Sequence, residues 1–548
     1  MAFMTDLRQR FLKPVSQYRL IVATALFFAL FDNIAFFEHV FDTYPLSFAN
    51  SFYLLSLFCV LAGVVTLLLA LAASRYTTKP LLIVTLLVSS FSAYFMQTYN
   101  VVIDSSMVQN IMETNLDESL DLFSFTLVAY VLFLGVLPAL YVYKKPIRYR
   151  SFRKELTAKV KVVSVSLAMI GFFLFTFSQF YASFFREHKP LRYYTNPTYW
   201  IYSVGHYIGK TAKSGPTEVK CIGKDACIAS EEDAEEAKEL VILVVGEAAR
   251  ADRFSLNGYE RETNPLLKQE ADLVNFSNMS SCGTSTAVSV PCMFSLYGKD
   301  AFDYDKGVGT ENILDVLVHT NKIDILWRDN NSDSKGVALR VPFEDFRTPA
   351  NNPLCDTECR DEGMLAGLDQ YIEAHKGRDI LIVLHMMGNH GPAYYKRYPK
   401  SFERFTPVCE TNQLEACSAE SIGNAYDNAI RYTDYFLSKV VNFLKPYSRE
   451  HETAMFYISD HGESLGENGL YLHGLPYFMA PDTQTHVASM MWFGGEIKED
   501  IDMEKLRSYS GRAFTQDNLF HSLLGLFEVE TEVYDPKMDM LRDALIPE

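Results

Sequence analysis

Positive charge is in deficit. Fifty Lys and Arg face 67 Asp and Glu, a formal net charge of −17, and no basic stripe offers itself to a phosphate backbone, which argues against a nucleic-acid partner. Tryptophan is scarce at three residues, yet Phe and Tyr lift the aromatic share to 14% and hydrophobic residues make up 49%. A chain so supplied with core material is not intrinsically disordered. Cysteine is also sparse, nine in 548 residues, and no CxxC pair occurs, which counts against zinc knuckles. What is present is segregated: residues 1–185 hold nearly all the long apolar runs, and the remainder reads as a globular domain.

Five stretches supply the about 20 apolar residues needed to cross hydrocarbon. They run approximately over Leu20–Phe37, Phe48–Ala73, Leu81–Met96, Phe123–Tyr143 and Val160–Phe185. The third is the weakest, diluted by Ser89, Ser90, Ser92 and Gln97. Asp32 and Asn33 stand where a removed signal peptide would carry small residues. Lys and Arg fill the N-terminal arm, the second-to-third loop (Arg75, Lys79) and the fourth-to-fifth loop (Lys144 to Lys161), while the alternate loops contain neither. The positive-inside rule then predicts a cytoplasmic N-terminus and an external chain beyond about residue 186. Eight cysteines fall outside in close pairs, Cys221/Cys227, Cys282/Cys292, Cys355/Cys359 and Cys409/Cys417, as disulfides of an exported domain do.

Residues 186–238 read as a connector. Its aromatics, Tyr193, Tyr194, Tyr199, Trp200, Tyr202 and Tyr207, suit either a membrane–water interface or a buried cluster of the outer domain. An acidic run from Ser230 to Glu236 reads as a linker.

From residue 239 short β-branched runs alternate with helical stretches, the pattern of a mostly parallel α/β sheet. The runs are Leu240–Val245, Ile323–Trp327, Ile380–Leu384, Met455–Ile458 and Ala488–Phe493. The first four lead into Glu247, into the polar run Arg328 to Lys335, into His385 and His390, and into Asp460-His461. Ligands of open α/β sheets bind at the carboxyl ends of the strands, so these residues predict one site. Any one of them is an ordinary loop residue; their convergence is the signal.

Glu, Asp and His are oxygen and nitrogen ligands of the kind zinc accepts. The hydroxyl-rich run Thr284-Ser285-Thr286 opens a predicted helix, whose start suits a phosphate and would present a metal-activated nucleophile. Composition does not choose among the three. Gly462-Glu463-Ser464-Leu465-Gly466 imitates a serine-hydrolase elbow, but Gly466-Glu467-Asn468-Gly469 lacks the helix that motif requires.

Gly246-Glu247, Ser285-Thr286-Ala287 running to Val290-Pro291-Cys292, and Ser459-Asp460-His461-Gly462-Glu463-Ser464-Leu465-Gly466 together resemble the lipid A phosphoethanolamine transferases. These are inner-membrane members of the alkaline phosphatase/sulfatase-like superfamily. The resemblance implies a five-span helical membrane domain (1–185), the connector (186–238) and a periplasmic catalytic α/β domain (239–548). It implies Thr286 as the nucleophile, with Glu247, Asp460, His461 and Thr286 itself as ligands of one zinc ion. His390 and His473 would bind a second ion or act as acid and base. Asn331, Ser332 and Lys335 would contact the phosphoryl group, and Asn110, Thr114 and Glu118, four residues apart on one helical face, the donor lipid. The implied reaction moves phosphoethanolamine from phosphatidylethanolamine to lipid A through a covalent intermediate, in a monomer. Transfer of phosphoglycerol, or to another envelope lipid or glycan, is the alternative. A sulfatase would need a Cys/Ser-x-Pro-x-Arg segment, and Val290-Pro291-Cys292-Met293-Phe294 has no arginine. A membrane-anchored binding module would not need so complete a ligand set.

Overall fold

The structure is a computed structural model that describes residues 13–113, 116–211, 219–228 and 237–546. It divides into two compact units. One comprises the chain up to Val108 with Phe123–Thr211, and the other Gln109–Leu122 with Ala212–Glu548.

The first unit is helical. Among the described residues, Asn50–Ala72, Thr78–Thr98, Phe125–Lys144 and Phe152–Thr176 are each long and apolar enough to cross a membrane. The first expected span is broken: Gln17–Phe31 and Ile34–Thr43 meet at a 54° bend. Asn33 causes the break by turning its amide back to the Phe28 carbonyl at 2.9 Å and accepting the Asn196 main-chain N–H at 2.8 Å, which replaces helix bonds with side-chain bonds. The last expected span also ends early, at Thr176, and a separate helix follows over Ser178–Glu187.

The expected connector begins inside this unit. Trp200 and Tyr194 are buried there, Trp200 donating to the Ser89 hydroxyl at 3.2 Å and Tyr194 to the Asn100 carbonyl at 3.1 Å. Neither joins a cluster of the outer domain. Of the serines that dilute the third span, Ser89 is thus the partner of a buried polar group, while Ser90 and Ser92 are buried and bond carbonyls of their own helix. Ser230 to Glu236 lies outside the described residues.

The second unit is built on a seven-stranded sheet. Its strands are β1 (Lys238–Gly246), β2 (Leu273–Asn275), β3 (Ile323–Asp329), β4 (Phe343–Asp345), β5 (Asp379–His385), β6 (His451–Ser459) and β7 (Ser489–Gly494). The order is β2–β7–β6–β1–β5–β3–β4. β7 runs antiparallel to β2 and β6, and the other neighbours are parallel. Leu240–Val245 is fully buried, which is why the central strands are continuously apolar: both faces are covered.

Register sets the site. Val245 pairs with His385, Gly246 with Ser459, and Asp329 with His385. The residues just past β1, β3, β5 and β6 therefore emerge at one level. Two helices complete this frame, α1 (Thr286–Met293) and α2 (Ala419–Leu444).

Disulfides join Cys282–Cys292, Cys355–Cys359 and Cys409–Cys417. The expected Cys221/Cys227 bridge is absent, and both thiols are free and exposed. Each is turned to a different carbonyl, Cys221 toward Val219 and Cys227 toward Glu530. Cys227 is held there because its two-residue strand pairs with Val529–Glu530.

Candidate active site

Glu247 and Asp460 follow adjacent parallel strands and are locked to each other's main chain. Asp460 N donates to the Gly246 carbonyl at 2.9 Å, and Ala248 N donates to Asp460 Oδ1 at 3.0 Å. Gly246 is required at this crossing, because a β-carbon there would collide with the Tyr457 ring. Gln516 braces the second strand end, donating to the Ser459 and Asp460 carbonyls at 2.6 and 2.7 Å while its own carbonyl accepts from Cys282 N at 2.6 Å. One amide thus ties the Asp460 turn to the segment that leads into α1.

Of the three hydroxyls left open by the sequence, only Thr286 faces the carboxylates. Its Oγ1 donates to Glu247 Oε2 at 3.1 Å and lies 3.4 Å from His461 Nε2. Thr284 instead bonds the Leu475 carbonyl at 2.6 Å, and Ser285 is the residue preceding α1. Thr286 occupies the first position of α1, where main-chain N–H groups have no partner within the helix. The Cys282–Cys292 disulfide brackets it.

His461 carries the evidence for a cation. Its Nδ1 lies 2.8 Å from the Gly462 carbonyl; a carbonyl only accepts, so Nδ1 carries a hydrogen and Nε2 is the nitrogen turned inward. That nitrogen is 3.3 Å from Glu247 Oε1 and 3.3 Å from Asp460 Oδ2. Neither oxygen has a hydrogen-bond partner, and all three side chains are fully buried. Two buried carboxylate oxygens so arranged repel unless positive charge, either a proton on Nε2 or a bound metal ion, sits among them. Burial opposes charge on His461, but Asp460 and Glu247 outweigh it and raise its pKa. Burial likewise opposes charge on Glu247, and His461 outweighs it and holds that carboxyl well below the usual range. Burial, reinforced by Glu247, pushes Asp460 up. The donor set fits a divalent metal such as zinc in chemistry and number.

The residues expected to contact a phosphoryl group follow β3 and β5 beside this cluster. Asn331 donates to Glu247 Oε2 at 2.8 Å and to the Met386 carbonyl at 2.7 Å. Ser332 and Lys335 are buried beside it, the Lys335 ammonium 3.4 Å from the Ser332 carbonyl. The His473 ring lies 4.3 Å from the His461 ring, tilted to it, and 5.4 Å edge-on from the His390 ring. His390 Nδ1 is buried without a partner.

The sequence does not single out Glu463 and Tyr394 as site residues. Glu463 is fully buried, accepting from Tyr394 OH at 2.8 Å and facing His473 Nδ1 at 2.8 Å. With His461 and His473 it forms a second group of metal-ligand type. Its place in the Asp460–Gly466 motif is the only sequence signal for it. Asn110 lies in the helix Ser105–Glu113, whereas Thr114 and the Glu118 side chain fall outside the described residues.

A family model described as Sulfatase matches residues 239–529, and one described as Phosphoethanolamine transferase EptA/EptB matches residues 61–212. Phosphatidylethanolamine transferase Mcr-1 of Escherichia coli is 43% identical over 540 residues, 97% of this chain and 98% of the relative. Phosphoethanolamine transferase EptA of Escherichia coli strain K12 is 39% identical over 531 residues, 95% of this chain and 96% of the relative. The solved integral membrane protein lipooligosaccharide phosphoethanolamine transferase A from Neisseria meningitidis superposes with a TM-score of 0.93 at 33% identity, covering 98% of this chain and 100% of that one. Fold and site define a catalytic domain of the alkaline phosphatase/sulfatase superfamily, joined to a helical membrane part. The chain belongs to the phosphoethanolamine transferase family.

Proposed function

We propose that this protein transfers phosphoethanolamine from phosphatidylethanolamine to a phosphate of lipid A, and so lowers the affinity of the cell surface for cationic peptides such as polymyxins. The observation that carries the proposal is Thr286 Oγ1 lying between Glu247 and His461, beside two unpartnered carboxylate oxygens. Glu247, Asp460, His461 and Thr286 would hold one zinc ion, and His390 with His473 a second. Bound zinc supplies a lowered hydroxyl pKa and neutralises charge on the phosphoryl oxygens.

The chain's own residues do the rest. Glu247 accepts the Thr286 hydrogen, leaving Oγ1 to attack the donor phosphorus. The Thr286 O–P bond forms as the P–O bond to diacylglycerol breaks, and the departing oxygen takes a proton from His390 or His473. Asn331, Ser332 and Lys335 orient the phosphoryl oxygens. In the second half-reaction the same histidine takes the proton of a lipid A phosphate hydroxyl, the freed oxygen attacks the phosphothreonine diester, the Thr286 O–P bond breaks, and Glu247 returns the hydrogen to Oγ1.

Both substrates are lipids, which accounts for a membrane part on the same chain: tethering raises effective concentration. The proposed topology puts the N-terminus in the cytoplasm and the catalytic unit in the periplasm of the bacterial inner membrane. Mass spectrometry of lipid A from cells with and without the chain tests the reading. A phosphoethanolamine increment supports it; a phosphoglycerol increment, or an increment on another glycan, replaces it.

A further inference from the structure

The segment Gln109–Leu122 leaves and re-enters the helical unit, yet belongs to the catalytic one. Among the described residues, Asp121 bonds to that unit through both its carboxylate and its main chain. The carboxylate meets Lys396 Nζ at 2.5 Å and Arg397 Nη2 at 2.9 Å. Its main-chain carbonyl accepts from the Asn412 side chain at 2.6 Å, and Asn412 sits in the loop closed by the Cys409–Cys417 disulfide. Arg397 is the hub. The residue is 4% exposed, and its guanidinium bridges Asp121 and Glu358 and donates through Nε to the His390 carbonyl at 2.6 Å. A continuous chain of charge-assisted bonds thus runs from Asp121 to the main chain of an active-site histidine. Beside it is a cavity of about 360 Å³, with Leu120 and Asp121 on one wall and Asn330 and Met387 among the residues opposite. Those two flank Asn331 and Met386, which are bonded to each other.

A buried guanidinium shared by two carboxylates is costly to leave half-paired, so the network has one favoured arrangement. We propose that Asp121 is a positioning residue: through Arg397 it fixes its own end of the segment in register with the His390 loop, so that donor lipid is presented to the reacting centre. The inference rests on the reading above in taking this segment as the donor-lipid contact.

The test uses full-length, zinc-loaded protein. In Asp121→Asn, which keeps the shape and removes the charge, amide exchange of peptides covering 109–122 should rise about tenfold or more, while β1 and β6 stay protected. Transfer from phosphatidylethanolamine should fall about tenfold to a hundredfold. Cleavage of a water-soluble nitrophenyl ester of phosphoethanolamine by the same preparation should stay within about twofold of wild type. Asp121→Glu should recover part of the transfer. Unchanged exchange overturns the clamp. Faster exchange with both activities intact overturns the positioning role, as does an equal loss of both. If wild type cleaves the soluble ester but moves nothing from phosphatidylethanolamine, the functional reading has failed, and exchange still decides the clamp. Should Asp121→Asn not accumulate, Lys396→Met, at the more exposed of the two cations, is read by the same measurements.

Discussion

His473 Nδ1 lies 2.8 Å from Glu463 Oε2, and that pairing holds the His473 ring against His461. Glu463 has no freedom of its own: Tyr394 occupies its other oxygen, and a β-carbon at Gly391 would strike it. The imidazole is therefore aimed by a rigid carboxylate.

Glu463→Gln keeps the volume and replaces one oxygen by a donor. Transfer should fall about tenfold to a hundredfold through kcat, with little change in zinc at Glu247, Asp460 and His461. Zinc analysis alongside steady-state kinetics checks it. Complete loss of zinc would make Glu463 part of the primary site instead.

Thr286→Ala should lower transfer at least about a thousandfold, because no other hydroxyl of the run faces the carboxylates. The protein should remain folded, since the change removes one small group from a helix start. Mass spectrometry of trapped adducts decides it: a phosphoethanolamine adduct on Ser285 or Thr284 would transfer the role.

Expression in a Gram-negative host should raise polymyxin resistance, and Glu247→Ala should abolish the rise. Phosphoethanolamine turns a phosphate monoester into a diester and adds an ammonium group. Each lost surface contact with a cationic peptide is worth about 1 kcal/mol, so one or two lost contacts weaken binding several-fold to tens-fold. Growth inhibition is the measurement, and resistance persisting in the variant would point to a cause other than this site.

Asp434 is buried and accepts the Leu266 and Leu267 main-chain N–H groups at 3.0 Å each. Burial pushes its pKa up to about 7, whereas an unfolded aspartate titrates near about 3.9. The folded state therefore holds more protons between those values. Its contribution is fully present below the lower one and is lost as pH rises through the upper, by at most about 1.4 kcal/mol per pH unit. Asp434→Asn, which does not titrate, should flatten the decline in thermal stability between pH 4 and pH 7. A variant profile parallel to wild type would show that Asp434 is already ionised in the folded protein.

The strand ends were legible because burial on both faces makes each central strand an unbroken apolar run, so the polar residue that follows stands out. Glu247 and Asp460-His461 were found that way. Gln516 could not be: it acts on Asp460 across 56 residues from a stretch with no pattern of its own. Segment 109–122 reads as part of the membrane half because its neighbours on both sides are apolar spans, and only bonds made in the folded chain recruit it elsewhere. Spacing alone paired Cys221 with Cys227, without sight of the strand that claims Cys227. Composition likewise supported a continuous first span, because helical periodicity does not reveal that the Asn33 amide turns back on its own helix.

The Cys282–Cys292 disulfide separates the site into halves with different histories. Glu247, Asp460 and His461 are placed by hydrogen bonds of the sheet, which form in any compartment. Thr286 lies within a loop whose closure is covalent and demands an oxidant, and closing a loop of this length contributes about 2–3 kcal/mol. The ligand half can thus assemble as soon as the sheet folds, whereas under the proposed topology the covalent closure around Thr286 would wait for the oxidising side of the membrane.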